Sequence, residues 1–466
     1  MLIVLVKRNY PPTMILPFAP FSTRAFLVNL IWIAGLYLTQ NGMAFPIHRV
    51  GGRVTTTTSQ LGTSNDVSDD TRAVDVSAAI LQGLRNRTVP LNGSYNPPKL
   101  NVETHLYDPT TGLHSEGVWH NCMVGLASLA LLDRGMDDEP QDAATRIADA
   151  LWKYSWDGIS FQRRAHSGLW DHSVNADTQP HYYQESSEHR CVQHGIACVF
   201  WSKLVTFLQN HHPENVEPYK QQYETIATSF VSEFWNGKRF RTISASQGGG
   251  TTLRRSASSN MPTQGVTDPI PYYRAVDQAV GILACLEMLQ QDQNNEAASG
   301  MLKATVGEIL DEFGYADDLT TRSYIGLDRN RNFWHDGWVL LALVCARHQE
   351  LSLQERLPGI WNTMLARYQH LDSTTGTYDG TVWHWPTSLK AGWDEGNVQY
   401  SCDNALLYAI TRGLSSRTQA DEGLWKFVHE LRSRDEDGLA SVADVYKQVR
   451  LHPNTELAAL LLWQVD

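Results

Sequence analysis

The sequence lacks the features that mark several common functional classes. It has no block of Lys and Arg, and its formal net charge is −12 over 466 residues, so it offers no basic surface for nucleic-acid phosphates. It contains no Gly-x-Gly-x-x-Gly, Walker-type Gly-Lys-Ser/Thr, His-Glu-x-x-His or Gly-x-Ser-x-Gly motif. We therefore expect no nucleic-acid partner, no nucleotide or other cofactor, and no metal ion.

Cysteine is scarce and is not arranged for metal binding. No Cys-x-x-Cys occurs, which argues against a zinc ribbon or a thioredoxin-type site. An even number of cysteines in a secreted chain would permit disulfides. However, each cysteine lies in or beside an apolar run rich in small residues, where a free thiol behaves as a small core residue. The sequence predicts reduced core thiols with at most one bridged pair among Cys122, Cys191, Cys198, Cys285, Cys345 and Cys402.

The N-terminus lacks an apolar run of the roughly 20 residues that a membrane-spanning helix needs. A 14-residue apolar run, 25–38, follows Arg24 and precedes the small residues Gly42 and Ala44. This order of basic, apolar and small residues predicts a signal peptide over 1–44, and hence entry into the secretory pathway without stable membrane association after cleavage. An uncleaved signal anchor, which would leave a membrane protein, is the alternative.

Residues 45–69 are rich in Ser, Thr and Arg and carry no acidic residue before Asp66. This composition predicts a disordered, transit-like segment or linker. A signal peptide followed by Phe45-Pro46 and such a stretch resembles the two-part plastid presequence of algae with secondary plastids. The resemblance implies a plastid location, and plain secretion is the alternative.

From residue 70 to 466 one kind of unit recurs, which predicts a single domain. Six segments begin with polar or aromatic residues and continue as apolar helical runs with Gly, Ala or Ser, as expected of buried helices. They begin near Trp119, Arg190, Val276, Trp334, Cys402 and Pro453. Between them the i, i+3, i+4, i+7 spacing of apolar residues predicts half-buried helices at Gln141–Tyr154, Val216–Phe234, Glu296–Phe313 and Leu353–His370.

A second repeat predicts short β-hairpins after the half-buried helices. The segment 156–161, Trp-Asp-Gly-Ile-Ser-Phe, matches 235–240, Trp-Asn-Gly-Lys-Arg-Phe. Asp-Gly and Asn-Gly readily adopt the positive φ of a hairpin turn. A related pair, 107–112 and 371–376, shares an Asp-x-Thr-Thr-Gly ending.

Six buried helices that alternate with six outer ones, with Trp-Asp/Asn-Gly hairpins between them, resemble the all-α (α/α)6 toroid of the six-hairpin glycosidase superfamily. That superfamily is related to the N-acylglucosamine 2-epimerase group. The resemblance covers about residues 75–466. It implies an (α/α)6 domain with short β-hairpins at one rim and a carbohydrate substrate.

In such a barrel the inner helices begin at one rim, so polar residues at their starts are the candidates for a site. These are Trp119, His120, Asn121, Gln193, His194, Asp277, Gln278, Trp334, His335, Asp336, Trp338, Asp403, Asn404, Asn454 and Glu456. Asp and Asn at helix starts are also ordinary N-caps, each worth about 1 kcal/mol. Their recurrence at all six starts favours a shared cleft.

A glycoside hydrolase needs two carboxyl groups in such a cleft. The favoured pair is Asp336 with Asp403, with Asp277 as the alternate and His335 beside Asp336; Asp394 and Glu395 are further candidates. Aromatic surroundings would raise the pKa of an acid catalyst. The aromatic and histidine residues expected to bind the sugar are Trp119, His120, His194, Trp334, Trp338, Trp383, Trp385 and Trp393.

Two alternatives remain open. A sugar epimerase or isomerase would abstract a proton next to a carbonyl, for which His is suited because its pKa lies near neutral pH. His120, His194, His335 and His384 are available for it. A non-catalytic carbohydrate-binding toroid would have the aromatic residues without a perturbed acid pair. The sugar, the linkage and the oligomeric state do not follow from the sequence.

Overall fold

The structure is a computed structural model. It describes residues 69–86, 107, 109, 111–114, 117–136, 139–162, 189–247, 273–314, 324–325, 332–384, 398–414, 423, 425, 443–444 and 455–464. All of these lie in one compact unit, Asp66–Asp466. The predicted signal peptide and the transit-like segment as far as residue 68 lie outside the described residues, as do Trp385, Trp393, Asp394, Glu395 and Asn454.

Eleven α-helices are found among the described residues, six in an inner layer and five in an outer layer. The inner helices are apolar on nearly every side: α2 Val118–Asp133, α4 Cys191–His211, α6 Ala275–Gln291, α8 Phe333–Ala346, α10 Ser401–Gly413 and α11 Thr455–Leu461. The outer helices bury a single stripe: α1 Asp69–Asn86, α3 Ala143–Tyr154, α5 Val216–Phe234, α7 Glu296–Asp311 and α9 Ser352–Tyr368. The sequence periodicity therefore predicts the six inner helices and four of the five outer ones, with α1 the exception.

The six inner helices form a closed ring. Each packs against the next in chain order, from α2 through α4, α6, α8 and α10 to α11, and α11 packs against α2. The outer helices α3, α5, α7 and α9 each pack on the inner helix that precedes them, whereas α1 packs on α11 and α2. This architecture confirms the predicted all-α (α/α)6 toroid.

Glycines allow the inner helices to approach closely. A Cβ atom on Gly281 of α6 would lie 2.2 Å from the ring of Phe240, and one on Gly195 of α4 would lie 2.4 Å from the side chain of Val280. Neither contact is possible, because real Cβ atoms do not come nearer than about 3 Å to other heavy atoms in a packed interior. Gly195 is therefore required by the packing of α4 against α6, and Gly281 by the packing of the 235–240 hairpin on α6.

Short antiparallel strands join the layers. They are β1 Tyr273–Arg274 with β2 Tyr324–Ile325, β3 Gln369–Leu371 with β4 Tyr378–Val382, and β5 Val398–Gln399 with β6 Ala443–Asp444. Isolated antiparallel bridges join Trp156 to Phe161, Trp235 to Phe240 and Tyr107 to His114. All four predicted hairpins are therefore present.

The two Trp-containing hairpins turn in the same way. Gly158 and Gly237 have φ values of 94° and 95°. In the first hairpin the Asp157 carboxylate accepts hydrogen bonds from the backbone N–H groups of residues 159 and 160. In the second, the Asn236 side chain accepts the equivalent pair from residues 238 and 239. The match between the two sequence segments thus reflects one turn chemistry used twice.

Helix α4 is long and apolar enough to span a membrane by length and composition alone, and it is the one such helix among the described residues. Its most apolar window is 83% buried inside the protein, as expected of the core helix of a globular domain. The cysteines occupy this same interior: Cys122, Cys191, Cys198 and Cys285 are buried, and all six cysteines are unbridged.

Candidate active site

Six polar residues occupy corresponding places in the first turn of the inner helices. Each is the third residue of its helix in α2, α4, α6 and α10, the fourth in α8 and the second in α11. The six are His120, Gln193, Asp277, Asp336, Asp403 and Glu456. The ring of inner helices thus presents one polar residue from each helix near the same rim.

After four of these six positions the next residue is a buried polar side chain with a different task. The Asn121 side chain accepts a hydrogen bond from the backbone N–H of His114 at 2.8 Å and donates one to its carbonyl at 3.1 Å. Gln278 does the same to Phe240, with both distances 2.8 Å. Asn404 accepts from the N–H of Val382 at 3.0 Å. These amides, which the sequence put among the rim candidates, hold the preceding hairpin or strand onto the inner helix.

His194 belongs to this second set, and the prediction that it binds substrate is wrong. Its side chain is fully buried, with Nδ1 2.7 Å from the hydroxyl of Ser160 and Nε2 2.9 Å from the carbonyl oxygen of Ile226. Aromatic rings, including those of Phe230 and Phe234, surround the imidazole. Burial lowers the pKa of His194 to about 4, so the ring is neutral and joins α4 to the outer helix α5.

Two tryptophan indoles hold the carboxylate of Glu456 at the rim. The indole N–H of Trp119 donates to Oε1 at 2.7 Å, and that of Trp334 donates to Oε2 at 2.8 Å. The Nε2 atom of His120 lies 3.8 Å from Oε1. Burial, together with the negative charge of Asp403, raises the pKa of Glu456 to about 7 and outweighs the two indole hydrogen bonds. Glu456 can therefore exchange a proton near neutral pH.

Asp403 and His384 form a hydrogen-bonded pair beside Glu456. Nδ1 of His384 lies 2.7 Å from Oδ2 of Asp403, which has no exposed surface, whereas the His384 side chain is 15% exposed. The other carboxylate oxygen of Asp403, Oδ1, is buried and makes no hydrogen bond with the described residues. A carboxylate that accepts the Nδ1–H fixes the orientation and tautomer of the imidazole.

Two further histidines at the rim are held in the neutral form. Burial, with a smaller contribution from the positive charge of Arg274, lowers the pKa of His335 to about 3. Burial also lowers the pKa of His120 to about 4. Both imidazoles remain uncharged at neutral pH, so they can form hydrogen bonds to a ligand but are poor bases.

The structure places the other two predicted carboxylates in internal ion pairs. Asp277 accepts hydrogen bonds from Nε and Nη2 of Arg274 at 2.8 and 2.7 Å and from the hydroxyl of Thr242 at 2.6 Å. Asp336 accepts one from the hydroxyl of Tyr368 at 2.6 Å, with Arg367 3.8 Å away.

Neither Asp277 nor Asp336 has exposed surface, since the side-chain exposure of each is 0%. The favoured pairing of Asp336 with Asp403 therefore does not describe two carboxylates that can reach a substrate. Asp277 and Asp336 instead tie the first turns of their inner helices to neighbouring segments, and the charge of each is compensated locally.

The predicted sugar-binding tryptophans separate into distinct groups. Trp119 and Trp334 hold Glu456, with their ring centroids 5.7 Å apart. Trp338 is fully buried behind Trp119 at 5.1 Å, so it supports this arrangement and does not contact a substrate. Trp383 is 8% exposed and packs against His370. The predictions for Trp385 and Trp393 concern residues outside the described part of the chain.

The sequence included Glu456 among the rim residues but did not single it out as an acid. Its position in the sequence could have identified it, because Glu456, like Asp403, lies in the first turn of an apolar inner helix. Within the described ranges, no three His, Cys, Asp or Glu side chains are grouped so that they could hold a metal ion.

Comparisons with known proteins bear on the fold. No protein-family profile matches the chain, and no curated protein sequence matches it. Similar solved structures include a D-mannose isomerase, with a TM-score of 0.55 and 10% identity over 83% of this chain and 96% of that one. The cellobiose 2-epimerase of Spirochaeta thermophila has a TM-score of 0.54 and 12% identity, over 84% of this chain and 96% of that one.

A family 76 α-mannanase of Bacteroides thetaiotaomicron gives a TM-score of 0.52 and 11% identity over 84% of this chain and 94% of that one. At such low sequence identity, these structural similarities support the fold alone. Because each similarity covers nearly the whole of the compared chain, the protein shares the toroidal fold of these structures.

Proposed function

We propose that the protein is a carbohydrate-active enzyme that transfers a proton at the carbon next to a sugar carbonyl, as an epimerase or an aldose–ketose isomerase. The observation that carries this proposal is the 2.7 Å pair of His384 and Asp403 beside an acid, Glu456, whose pKa is raised to about 7. The fold supports it, since the similar structures include a mannose isomerase and a cellobiose 2-epimerase.

His384 is the proposed base. With Nδ1 donating to Asp403, its Nε2 carries the lone pair that accepts the C2 proton of an open-chain aldose. The C2–H electrons then form a C1–C2 double bond, and the carbonyl oxygen becomes the oxygen of an enediol. Return of this proton from His384 to C1 gives the ketose. Its return to C2 gives the epimer once the enediol has turned its other face to His384.

Glu456 is the proposed proton carrier for the oxygen. In its protonated form it donates to the developing enediolate, and it recovers the proton when the carbonyl forms again. The neutral imidazoles of His335 and His120 would hydrogen-bond to sugar oxygens without adding charge. Trp119 and Trp334 would set the position of Glu456 through their indole N–H groups.

Glycoside hydrolysis is the second candidate, and the raised pKa of Glu456 favours it, since a general acid needs such a value. A hydrolase also needs a second carboxylate that reaches the substrate or its water. Asp277, Asp336 and Asp403 are each fully buried and hydrogen-bonded. The second carboxylate would have to come from residues outside the described ranges, such as Asp394 or Glu395.

One experiment separates these chemistries. The protein is incubated in D₂O with mannose, glucose, fructose, N-acetylglucosamine and cellobiose, and C1 and C2 are followed by NMR. A parallel assay measures reducing ends released from α-mannan and β-glucan. We expect deuterium at C2 or a new epimer or ketose in one of the sugars, and no reducing ends.

Two variants test whether the exchange takes place at His384. His384→Asn should abolish exchange, whereas His194→Asn, a change at the buried histidine, should leave the rate per folded molecule intact. Release of reducing ends without exchange would show a hydrolase and overturn the proton-transfer proposal. Binding of a sugar without either reaction would show a binding protein.

We also propose that residues 1–44 direct the chain into the secretory route and that residues 45–69 then decide between secretion and a plastid. The order of Arg24, the 25–38 apolar run and Ala44-Phe45 supports this. A fluorescent fusion of residues 1–61, compared with one of residues 1–44, distinguishes secreted, plastid and membrane-anchored outcomes.

A further inference from the structure

A cavity lies at the opposite end of the barrel from Glu456. It has a volume of about 920 Å³ and is lined where α2, α4, α6, α8 and α11 end. Leu129 and Arg134 mark the end of α2, and Trp463 and Gln464 follow the last turn of α11. Small-molecule sites in proteins are commonly cavities of roughly 300–1,000 Å³, so this space has the size of a binding site.

The walls of this axial cavity combine apolar and amide side chains. Leu126, Leu283 and Leu462 belong to the apolar part, and Asn210, Gln290 and Gln349 supply amides. Each amide offers both a donor and an acceptor. Trp463 adds an aromatic surface, with its ring centroid 5.6 Å from that of Trp338. Sugar rings present this same alternation of apolar faces and hydroxyl groups.

Two charged side chains in the wall, Lys203 and Glu287, neutralise each other. Nζ of Lys203 lies 3.0 Å from Glu287 and 3.0 Å from the side-chain oxygen of Gln290. Glu287 also accepts from the hydroxyl of Ser202 at 2.8 Å, and its side chain is only 11% exposed. A charged ligand would have to compete with this pair, whereas a hydroxyl group can accept from one partner and donate to the other.

The helix ends also select against anions. The C-terminal turns of five inner helices carry carbonyl oxygens with partial negative charge, which disfavours carboxylates and phosphates. The lining holds two cationic side chains, Lys203 and Arg134, and two acidic ones, Asp133 and Glu287, so it has no net side-chain charge to attract an ion. Size, aromatic surface and charge therefore agree on one chemical class of ligand.

We propose that the axial cavity is a second binding site, distinct from the rim of Glu456, for a neutral hydroxylated ligand of one or two sugar rings. The proposal does not depend on the chemistry at the rim. Trp463 forms its aromatic wall, and Lys203, Glu287 and Gln290 hold the hydroxyl groups.

The test is isothermal titration of the full chain with mannose, cellobiose and maltose, alongside glucosamine as a cation and glucuronate as an anion. We expect a second binding event per chain for at least one neutral sugar, with at least tenfold weaker binding of both charged analogues. Labelling with 5-fluorotryptophan provides a local readout, because the ¹⁹F resonance missing in Trp463→Phe should shift on binding.

Two variants place this event in the cavity. Ala130→Phe fills the space from α2 and should remove the event, and Gln290→Leu should weaken it at least fivefold while the fold is kept. Ala297→Phe, on the exposed face of α7, is the matched control and should change nothing.

Any one of three results overturns the proposal. These are the absence of any binding event that shifts the Trp463 resonance, a cavity event that survives Ala130→Phe in a folded protein, and tighter binding of glucosamine or glucuronate. The exchange and hydrolysis assays described above decide the function of the rim separately, so either proposal can fail alone.

Discussion

The carboxylate of Glu456 lies 2.7 Å from the indole nitrogen of Trp119, a residue 337 positions earlier in the chain. Trp334 donates to the other oxygen of the same carboxylate. The acid is therefore held between two inner helices that are distant from it in sequence. Its raised pKa follows from this placement, since the indoles shield it from water while the charge of Asp403 opposes its ionisation.

Replacement of Glu456 by Gln should lower the turnover rate by roughly 10²–10⁴-fold, the usual contribution of a general acid or base. In the unmodified protein the rate should fall as pH rises through about 7, because the protonated carboxyl is the active form. The pH dependence of kcat/KM checks this. A variant with an unchanged profile would show that Glu456 does not carry the proton.

The stability of the protein should depend on pH through the same group. Its pKa is about 7 in the folded protein against 4.5 in the unfolded chain, so the folded state binds the proton more tightly. Its contribution to stability is complete below pH 4.5 and is lost as pH rises through 7.

Compared with Glu456→Gln, the free energy of unfolding of the unmodified protein should therefore drop by about 3 kcal/mol between pH 4 and 8. Denaturant unfolding of both proteins at several pH values measures it. A difference between the two that is independent of pH would contradict the raised pKa.

Asp403→Asn and Asp336→Asn form a matched pair, because both replace a fully buried carboxylate of the inner ring. Asp403→Asn should lower the rate by roughly 10³-fold or more, since the amide no longer fixes the tautomer of His384. Asp336→Asn should cost about 1–3 kcal/mol of stability by weakening its contacts with Tyr368 and Arg367, with the rate per folded molecule retained. Equal loss of rate in both would place Asp336 in the chemistry after all.

His194→Ala should destabilise the protein by roughly 3 kcal/mol, because it removes two buried hydrogen bonds and opens a cavity among aromatic rings. Ser160→Ala, which leaves one partner of His194 unsatisfied, should cost less. Thermal and denaturant unfolding measure both changes. A selective loss of kcat in a fully folded His194→Ala protein would contradict the structural role.

Replacement of glycine by alanine should have opposite effects on stability in the inner and outer helical layers. Gly281→Ala on α6 would place a Cβ atom 2.2 Å from Phe240 and should cost about 1–3 kcal/mol. Gly307→Ala on the outer helix α7 meets no atom within 4 Å and should stabilise the protein by about 0.5–1 kcal/mol through helix propensity. Unfolding midpoints of the two variants test this contrast, and stabilisation by Gly281→Ala would refute the close packing.

The helices and hairpins could be predicted from the sequence because their signals are local. Val216–Phe234 is predicted and observed with the same bounds, since a stripe of apolar residues at helical spacing reports directly on burial. The Asp-Gly and Asn-Gly turns are likewise set by backbone preferences of two residues. The alternation of the two layers follows from these segments alone.

The arrangement of the site was harder to predict because it depends on which side of an inner helix each polar residue occupies. Asp277, Asp336 and Asp403 look alike in sequence, yet the first two bind cationic or hydroxyl partners and the third holds a histidine. His194 follows Gln193 by one position, and a step of about 100° around the helix turns it from the rim into the core. The direction and the partner of each of these side chains depend on contacts between residues far apart in the chain.

Helix α11 both closes the ring and carries Glu456. A ribosome delivers this segment only after the five other inner helices, so the emerging polypeptide lacks Glu456 for most of its synthesis. The final closure must join α11 to α2 across more than three hundred residues, a long-range step that is intrinsically slow. Glu456 therefore meets its tryptophan partners only when the barrel closes.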